Sequence, residues 1–248
     1  MLEQIDDNLW VAGQPLKFLG LNVGTRMTVV RLSNRELVVI SPIEIDRATT
    51  EQLNALGDVK SIVAPNFFHY LFLEKFKALY PQAKLYAPSG LKEKIPDLAI
   101  DFPLENRSDY FGNELEYRFF EGVNTFLPSG VAPLNEYVFY HGQSQTLILT
   151  DTAFFVDESF SPVLQLIARV FGGYKQLRPS FLEQLGTSEK ERVRRSAQIL
   201  LEWDFTRAIV AHGSIVEEDA KQQFREGYEW FLGQSLGELS AISHQLNL

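Results

Sequence analysis

The amino-terminal hundred residues alternate between strand-like and helix-like patterns, and this order constrains the fold more than any other feature of the sequence. Apolar, β-branched segments that are typical of strands occupy residues 9–12, 26–32, 37–40, 61–64 and 84–87. Thr49 or Thr50 can cap a helix that Gly57 ends, and the apolar spacing from His69 to Tyr80 predicts a second helix. The resulting β-α-β-α-β order predicts a layered α/β fold.

The rest of the chain adds further strands and then helices. Strands are predicted at residues 115–120, 136–140, 147–149 and 208–211, with a hairpin turn at 141–145. Ser188 and Glu191 form a capping-box pattern for a helix that ends near Glu202, and residues 217–231 predict a final amphipathic helix. Residues 152–187 are irregular and predict a helical insertion or lid. No linker-like segment interrupts the chain, so we expect one domain over residues 1–248.

Charge and composition exclude several classes of function. The 248 residues include 23 Lys and Arg against 32 Asp and Glu, a net charge of −9, which disfavours nucleic-acid binding because phosphates require clustered cations. The absence of cysteine excludes disulfides, thiolate metal clusters and a cysteine nucleophile. The acidic start lacks the pattern of a secretory signal, and no apolar run approaches the roughly 18 residues of a membrane span. We therefore expect a cytoplasmic protein that binds neither nucleic acid nor membrane.

Three apolar strand segments end close to a residue that can bind a metal or transfer a proton. His69 follows the strand at 61–64, Asp151 follows the one at 147–149, and His212 follows the one at 208–211. Residues at strand ends lie at the rim of a sheet, where functional groups are often placed. His69 and Asp151 also fit local capping or hydrogen-bonding roles, whereas the His212-Gly213 pair favours a site.

The other two histidines are predicted to lie away from these strand ends. His141 falls in the hairpin turn and is expected to be exposed, and His244 falls in the carboxyl-terminal tail and is expected to be solvated.

The order of these segments resembles the metallo-β-lactamase fold superfamily and, more closely, the DUF4336 family of uncharacterised proteins. The resemblance covers most of the chain and rests on the motifs Asn8-Leu9-Trp10, residues 25–32, residues 62–66 followed by His69, residues 146–151, and Trp203-Asp204 ahead of residues 211–213. It implies a four-layer αββα sandwich in which helices cover two mixed sheets and the site lies at one edge of the sheets.

The ligand set that the resemblance implies is incomplete in this chain. Active members of the superfamily carry a His-x-His-x-Asp-His motif after the strand that corresponds to residues 62–64. If Asn66 takes the first position, the other three positions fall on Phe68, Tyr70 and Leu71, and His69 is one residue out of register. The next expected histidine is replaced by Ala132. Asp151 and His212 match the bridging aspartate and the last histidine.

Two hypotheses for function follow. In the first, His69 turns inward to join Asp151 and His212 as ligands of a single Zn, Fe or Mn ion, and Glu136 supplies a fourth ligand. Asp151 and His212 are then the catalytic residues of a hydrolase of a small ester, thioester or phosphoester. In the second, the site is degenerate and metal-free, and the protein is a non-catalytic binding or structural protein on the same scaffold.

Three further residues near this rim are candidates for binding a small-molecule substrate. They are Arg26, which can recognise a carboxylate or phosphate, Asn66, and Tyr70. The apolar run at residues 163–173 fits either a lid over the site or a contact in a homodimer.

Overall fold

The computed structural model describes residues 1–105 and 108–237. The amino-terminal elements are β1 (Glu3–Asp6), β2 (Leu9–Gln14), β3 (Lys17–Phe18), β4 (Leu21–Asn22), β5 (Thr25–Arg31), β6 (Glu36–Ile40), α1 (Arg47–Leu56), β7 (Asp58–Val63), α2 (Leu73–Leu79), β8 (Lys84–Pro88), α3 (Leu91–Lys94) and β9 (Phe102–Leu104). The carboxyl-terminal elements are β10 (Ser108–Phe111), β11 (Leu115–Phe120), β12 (Asn124–Leu127), β13 (Gly130–Pro133), β14 (Glu136–His141), β15 (Thr146–Ile148), α4 (Pro162–Val170), α5 (Phe181–Gly186), α6 (Lys190–Leu200), β16 (Arg207–Ile209) and α7 (Ala220–Leu232).

Most of the strands form two mixed sheets. The first sheet has the order β1-β2-β5-β6-β7-β8-β9 and changes from antiparallel to parallel pairing at β6. The second has the order β10-β11-β14-β15-β16, and its last pair, β15 and β16, is parallel. The hairpins β3-β4 and β12-β13 form separate two-stranded ribbons.

Three apolar layers hold the two sheets and the helices together. Between the sheets, residues such as Ile40 of the first sheet and Phe139 of the second form one buried cluster. On the outer face of the first sheet Phe76 of α2 is buried, and on the outer face of the second sheet Phe224 of α7 is buried. Burial of each such side chain stabilises the fold by about 2 kcal/mol. The order of layers is helix, sheet, sheet, helix, which confirms the four-layer αββα architecture.

Several predicted element boundaries differ from the observed ones because of local hydrogen bonds. Helix α1 begins after Asp46, whose carboxylate accepts from the Thr49 N–H at 2.8 Å, so Asp46 is the cap instead of Thr49 or Thr50. Residues 69–72 form turns instead of the start of a helix, and α2 begins only at Leu73.

The predicted capping box is also in a different place. Helix α6 has no side-chain cap, whereas Ser180 and Glu183 form a capping box at the start of α5. Helices α4 and α5 both lie in residues 152–187, so this segment is partly helical.

His141 was expected to be exposed, and this expectation is wrong. Its side chain is buried, and its Nδ1 atom lies 2.7 Å from Ser144 Oγ. The hairpin around His141 is confirmed, since β14 pairs antiparallel with β15. His141 is the last residue of β14, and a turn-like sequence does not indicate that its side chain is buried. His244 lies outside the described residues. Within the described part of the chain, no helix has the length and apolar character needed to cross a membrane.

Asp101 provides a test of how electrostatics support the first sheet. Its carboxylate accepts the Leu85 N–H at 2.9 Å and pairs with Lys77 and Lys84 at 3.1 Å, which lowers the pKa to about 2. A pKa below that of the unfolded chain, about 3.9, stabilises the fold above that pH, and the stabilisation is lost as the pH falls towards 2. We expect Asp101→Asn to lower the free energy of unfolding by about 1 kcal/mol at pH 7, after allowance for screening of this partly exposed side chain.

The measurement is urea unfolding of the wild type and Asp101→Asn at pH 7, 4 and 2.5. The difference should shrink at each step, while Asp97→Asn at an exposed position should change little at any pH. A difference that stays constant from pH 7 to 2.5 would show that the hydrogen bonds to Asp101 do not depend on its charge.

Candidate metal site

The ends of three strands meet at one edge of the sandwich. Strands β15 and β16 are parallel neighbours, so the residues that follow them, Asp151 and His212, leave the second sheet at the same edge. The segment after β7 crosses to the second sheet, where the Tyr137 N–H donates to the Pro65 carbonyl at 2.8 Å. This crossing brings His69 from the first sheet to the end of the second.

His69, Asp151 and His212 converge on one point. The Nε2 atom of His69 lies 3.3 Å from Asp151 Oδ2, and the Nε2 atom of His212 lies 3.3 Å from Asp151 Oδ1. One donor atom from each of the three residues lies within 4.8 Å of the others. Two ligands at about 2.1 Å from a tetrahedral zinc ion are separated by about 3.4 Å, so the spacing suits a small divalent cation.

The outer nitrogen of each histidine contacts a residue that directly precedes or follows a strand of the first sheet. The Nδ1 atom of His212 lies 2.6 Å from the Gly24 carbonyl oxygen, which can only accept, so Nδ1 carries the proton. A neutral His212 therefore presents the lone pair of Nε2 to the cluster. The Nδ1 atom of His69 lies 2.6 Å from Ser41 Oγ. Metal-binding histidines commonly have their outer nitrogen fixed in this way, so the residues fit a metal ion.

Ser41 and Gly24 were not among the predicted site residues. Ser41 follows β6 directly and has a φ of 53°, which is uncommon for serine. It follows an apolar strand as a polar residue, which is the same signal that pointed to the other three strand ends. The Gly24 carbonyl carries no such signal, because it contributes only backbone.

Burial and charge act in opposite directions on the two central groups. Burial raises the pKa of Asp151, but the charge of His69 and the hydrogen bonds of both histidines outweigh it and hold the pKa below its usual value. Burial lowers the pKa of His212, but the hydrogen bond and charge of Asp151 and the Gly24 carbonyl outweigh it and raise the pKa. In the absence of a metal, the cluster therefore stabilises a carboxylate beside a protonated histidine.

Glu136 is not part of the converging group in the described structure, although it was predicted as a fourth ligand. It is fully buried, and its carboxylate accepts the backbone N–H groups of Thr150, Asp151 and Thr152 at 2.9, 2.7 and 3.2 Å, together with the Thr152 hydroxyl at 2.6 Å. These contacts occupy both carboxylate oxygens. Glu136 thus fixes the backbone that carries Asp151.

Asn66 forms hydrogen bonds that hold two of the three candidate ligands, His69 and Asp151, in position. Its amide nitrogen donates to Asp151 Oδ2 at 2.7 Å and to Glu136 at 3.0 Å, and its amide oxygen accepts the backbone N–H groups of Phe68 and His69. The side chain is fully buried. Both ends of the amide are therefore used to position His69 and Asp151, which differs from the predicted role in binding substrate.

The two other candidates for substrate binding lie in different places. Tyr70 lines a cavity of about 630 Å³ whose wall also includes His69, Asp151 and His212. Arg26 is not among the described residues that line this cavity; its guanidinium donates to the Val210 carbonyl, and burial lowers its pKa. Of these two residues, the structure brings only Tyr70 to the cavity.

Comparison of the sequence with protein families gives one match over most of the chain. Residues 6–178 match the domain of unknown function DUF4336. The chain belongs to the DUF4336 family. The matched range includes His69 and Asp151, and His212 follows it. No curated protein matches the sequence.

Solved structures with a similar fold include metallo-β-lactamases. DIM-1, in crystals exposed to ceftazidime, is 14% identical with a TM-score of 0.66, and the match covers 93% of this chain and 96% of DIM-1. The enzyme from Hirschia baltica is 8% identical with a TM-score of 0.64 over 94% and 97% of the two chains. FIM-1 from Pseudomonas aeruginosa, in its mono-zinc form, is 8% identical with a TM-score of 0.62 over 94% and 96%. At these identities the similarity establishes the metallo-β-lactamase fold for this member of DUF4336.

Proposed function

We propose that this DUF4336 protein is a metal-dependent hydrolase that acts on a small ester, thioester or phosphoester. One Zn, Fe or Mn ion would be held by His69, Asp151 and His212. The observation that carries this proposal is the convergence of these three donor groups, with the protonated outer nitrogen of His212 fixed on the Gly24 carbonyl. Three protein ligands are the number found in catalytic zinc sites, which keep a position open. FIM-1, which has the same fold, is described in a mono-zinc form.

The ion and the chain would contribute differently to hydrolysis. When bound, the ion supplies Lewis acidity toward the carbonyl or phosphoryl oxygen of the substrate. The chain orients the ligands: Gly24 and Ser41 fix the two imidazole rings, and Asn66 holds Asp151. The cavity beside the ligands would receive the substrate, and Tyr70 in its wall is the candidate contact to the substrate.

A second candidate function is a metal-free binding protein on the same scaffold. The observation that favours it is the hydrogen bonding around Asp151, because Asn66 donates to one carboxylate oxygen and each histidine lies 3.3 Å from one of the two. A buried polar group that is satisfied in this way needs no ion to remain stable. The two candidates differ in metal content.

Metal analysis of protein purified without chelator is the test. We expect about one equivalent of Zn, Fe or Mn per chain in the wild type, and under a tenth of that in Asp151→Ala and in His212→Ala, because two ligands do not hold such an ion firmly. His141→Ala is the control, since this histidine lies outside the group and should leave the metal content unchanged. Well under one equivalent in the wild type, unchanged in both ligand variants, would instead support the metal-free binding protein.

A further inference from the structure

The cavity beside the three candidate ligands has apolar walls. Its volume of about 630 Å³ lies in the range of small-molecule sites. The wall is built largely from the β3-β4 hairpin and the segment at 152–187, with side chains such as Phe154, Leu164, Ile167, Phe171 and Leu182. A ligand that occupies this cavity must therefore present a large apolar surface.

Several apolar residues of the wall remain exposed to solvent. Leu19 of the β3-β4 turn and Leu71 are 66% and 60% exposed, and Phe171 and Phe181 are 45% and 37% exposed. Contiguous exposed apolar surface of this kind commonly marks a binding site. Covering it with an apolar ligand is favourable because water is released from both surfaces.

The charged groups of the wall, other than the candidate ligands, are already engaged or lie at the surface. Arg178 stacks on Trp230 at 3.7 Å and donates to the Phe171 carbonyl at 2.8 Å. The Glu183 carboxyl is buried and accepts the Thr125 hydroxyl at 2.8 Å. Lys17 is exposed. These residues therefore offer no buried partner for a charged group of a ligand. We expect the part of the ligand inside the cavity to be neutral.

We propose that this cavity binds the hydrocarbon chain of an acyl ester or thioester, with the acyl carbonyl at His69, Asp151 and His212. The proposal rests on the proposed function for the position of the carbonyl, and it narrows the substrate class to carboxylic esters and thioesters with a long acyl chain. The occupant is a freely dissolved substrate and not a bilayer or a second copy of the chain, because the apolar walls and the candidate ligands line one concave cavity of small-molecule size.

Binding of neutral N-methylamides of straight-chain carboxylic acids tests the proposal without hydrolysis, because their hydrocarbon lies on the acyl side of the carbonyl. The series runs from butanoyl through hexanoyl, octanoyl and decanoyl to dodecanoyl, and affinity is measured by isothermal titration calorimetry with chelator-treated protein and with zinc-loaded protein. Each buried methylene should tighten binding roughly threefold, so burial of about four of the added methylenes should make the dodecanoyl compound bind about 100-fold more tightly than the butanoyl compound. Equal affinity along the series would overturn the proposal.

Two neighbouring positions on α4 provide a matched pair of variants. Ile167 lines the cavity, whereas Leu166 is 61% exposed and lies outside its lining. Ile167→Asp should abolish the dependence on chain length, because it places a charge against the hydrocarbon, and Leu166→Asp should preserve it. Equal loss in both variants would contradict the placement of the chain against Ile167 and would overturn the proposal. Binding of the dodecanoyl compound only to vesicle-associated or dimeric protein would also overturn it.

The two forms of the protein separate this proposal from the proposed function. A chain-length dependence that persists in chelator-treated protein supports the acyl-chain cavity even if metal analysis finds no ion. An ion at His69, Asp151 and His212 together with no chain-length dependence supports the hydrolase and contradicts the acyl-chain cavity.

Discussion

Replacement of Glu136 by alanine is expected to lower the free energy of unfolding by about 4 kcal/mol. The buried carboxylate accepts hydrogen bonds from Thr150, Asp151, Thr152 and Asn66, and its removal leaves these donors without their acceptor away from water. Because the same contacts hold the backbone of Asp151, the variant should also bind metal weakly. Urea unfolding followed by circular dichroism and metal analysis of the folded protein are the measurements.

Glu3→Ala is the matched control for Glu136→Ala. Glu3 is exposed on the edge strand β1, so its replacement should change the free energy of unfolding by less than about 0.5 kcal/mol. Loss of metal from Glu136→Ala with unchanged stability would mean that Glu136 is a ligand, as the sequence first indicated, and would contradict the supporting role.

Replacement of Gly213 by alanine is expected to destabilise the protein by about 3 kcal/mol and to abolish metal binding. A Cβ atom at this position would lie 2.4 Å from the Phe155 carbonyl oxygen and 2.7 Å from its nitrogen, and the φ of 142° is one that residues with a side chain rarely adopt. The backbone of Phe155 or of Gly213 must move, and His212 precedes Gly213 directly. Displacement of His212 would remove one of the three candidate ligands.

Gly142→Ala provides the comparison for Gly213→Ala. A Cβ atom at Gly142 would meet only Tyr140 Cε1, at the ordinary contact distance of 3.6 Å, so stability and metal content should stay close to those of the wild type. Unfolding midpoints and metal content are measured for both variants. A Gly213→Ala protein with wild-type stability and a full equivalent of metal would contradict this prediction. It would show that the backbone at Phe155 can move to accommodate the methyl group at little cost in free energy.

Most strands and helices were predictable because the signals that form them are local. The strand β11 was predicted with its observed bounds, and the last helix was displaced from its prediction by only a few residues. One error arose where two similar local signals compete. Ser180-x-x-Glu183 and Ser188-x-x-Glu191 are the same pattern, but only Glu183 also receives a bond from a distant hydroxyl, that of Thr125.

The candidate site was predictable only in part. His69, Asp151 and His212 were identified because each follows an apolar strand, and the structure brings them together. Glu136 also fitted such a rim position. Its carboxylate instead accepts the backbone N–H groups of residues 150–152, and the path of that segment past Glu136 is set by the tertiary structure. The predicted helix start at His69 was wrong because Asn66 accepts the backbone N–H groups of Phe68 and His69 and holds a turn there.

The sequence by itself determined the layered α/β fold, the absence of cysteine ligands and the three strand ends that carry the candidate ligands. Only the tertiary structure decided that His69 from one sheet faces Asp151 and His212 from the other, and that Gly24 and Ser41 orient the two rings. The physical reason is that periodicity and capping act within a few residues, whereas the site depends on contacts between segments as far apart in the chain as Gly24 and His212.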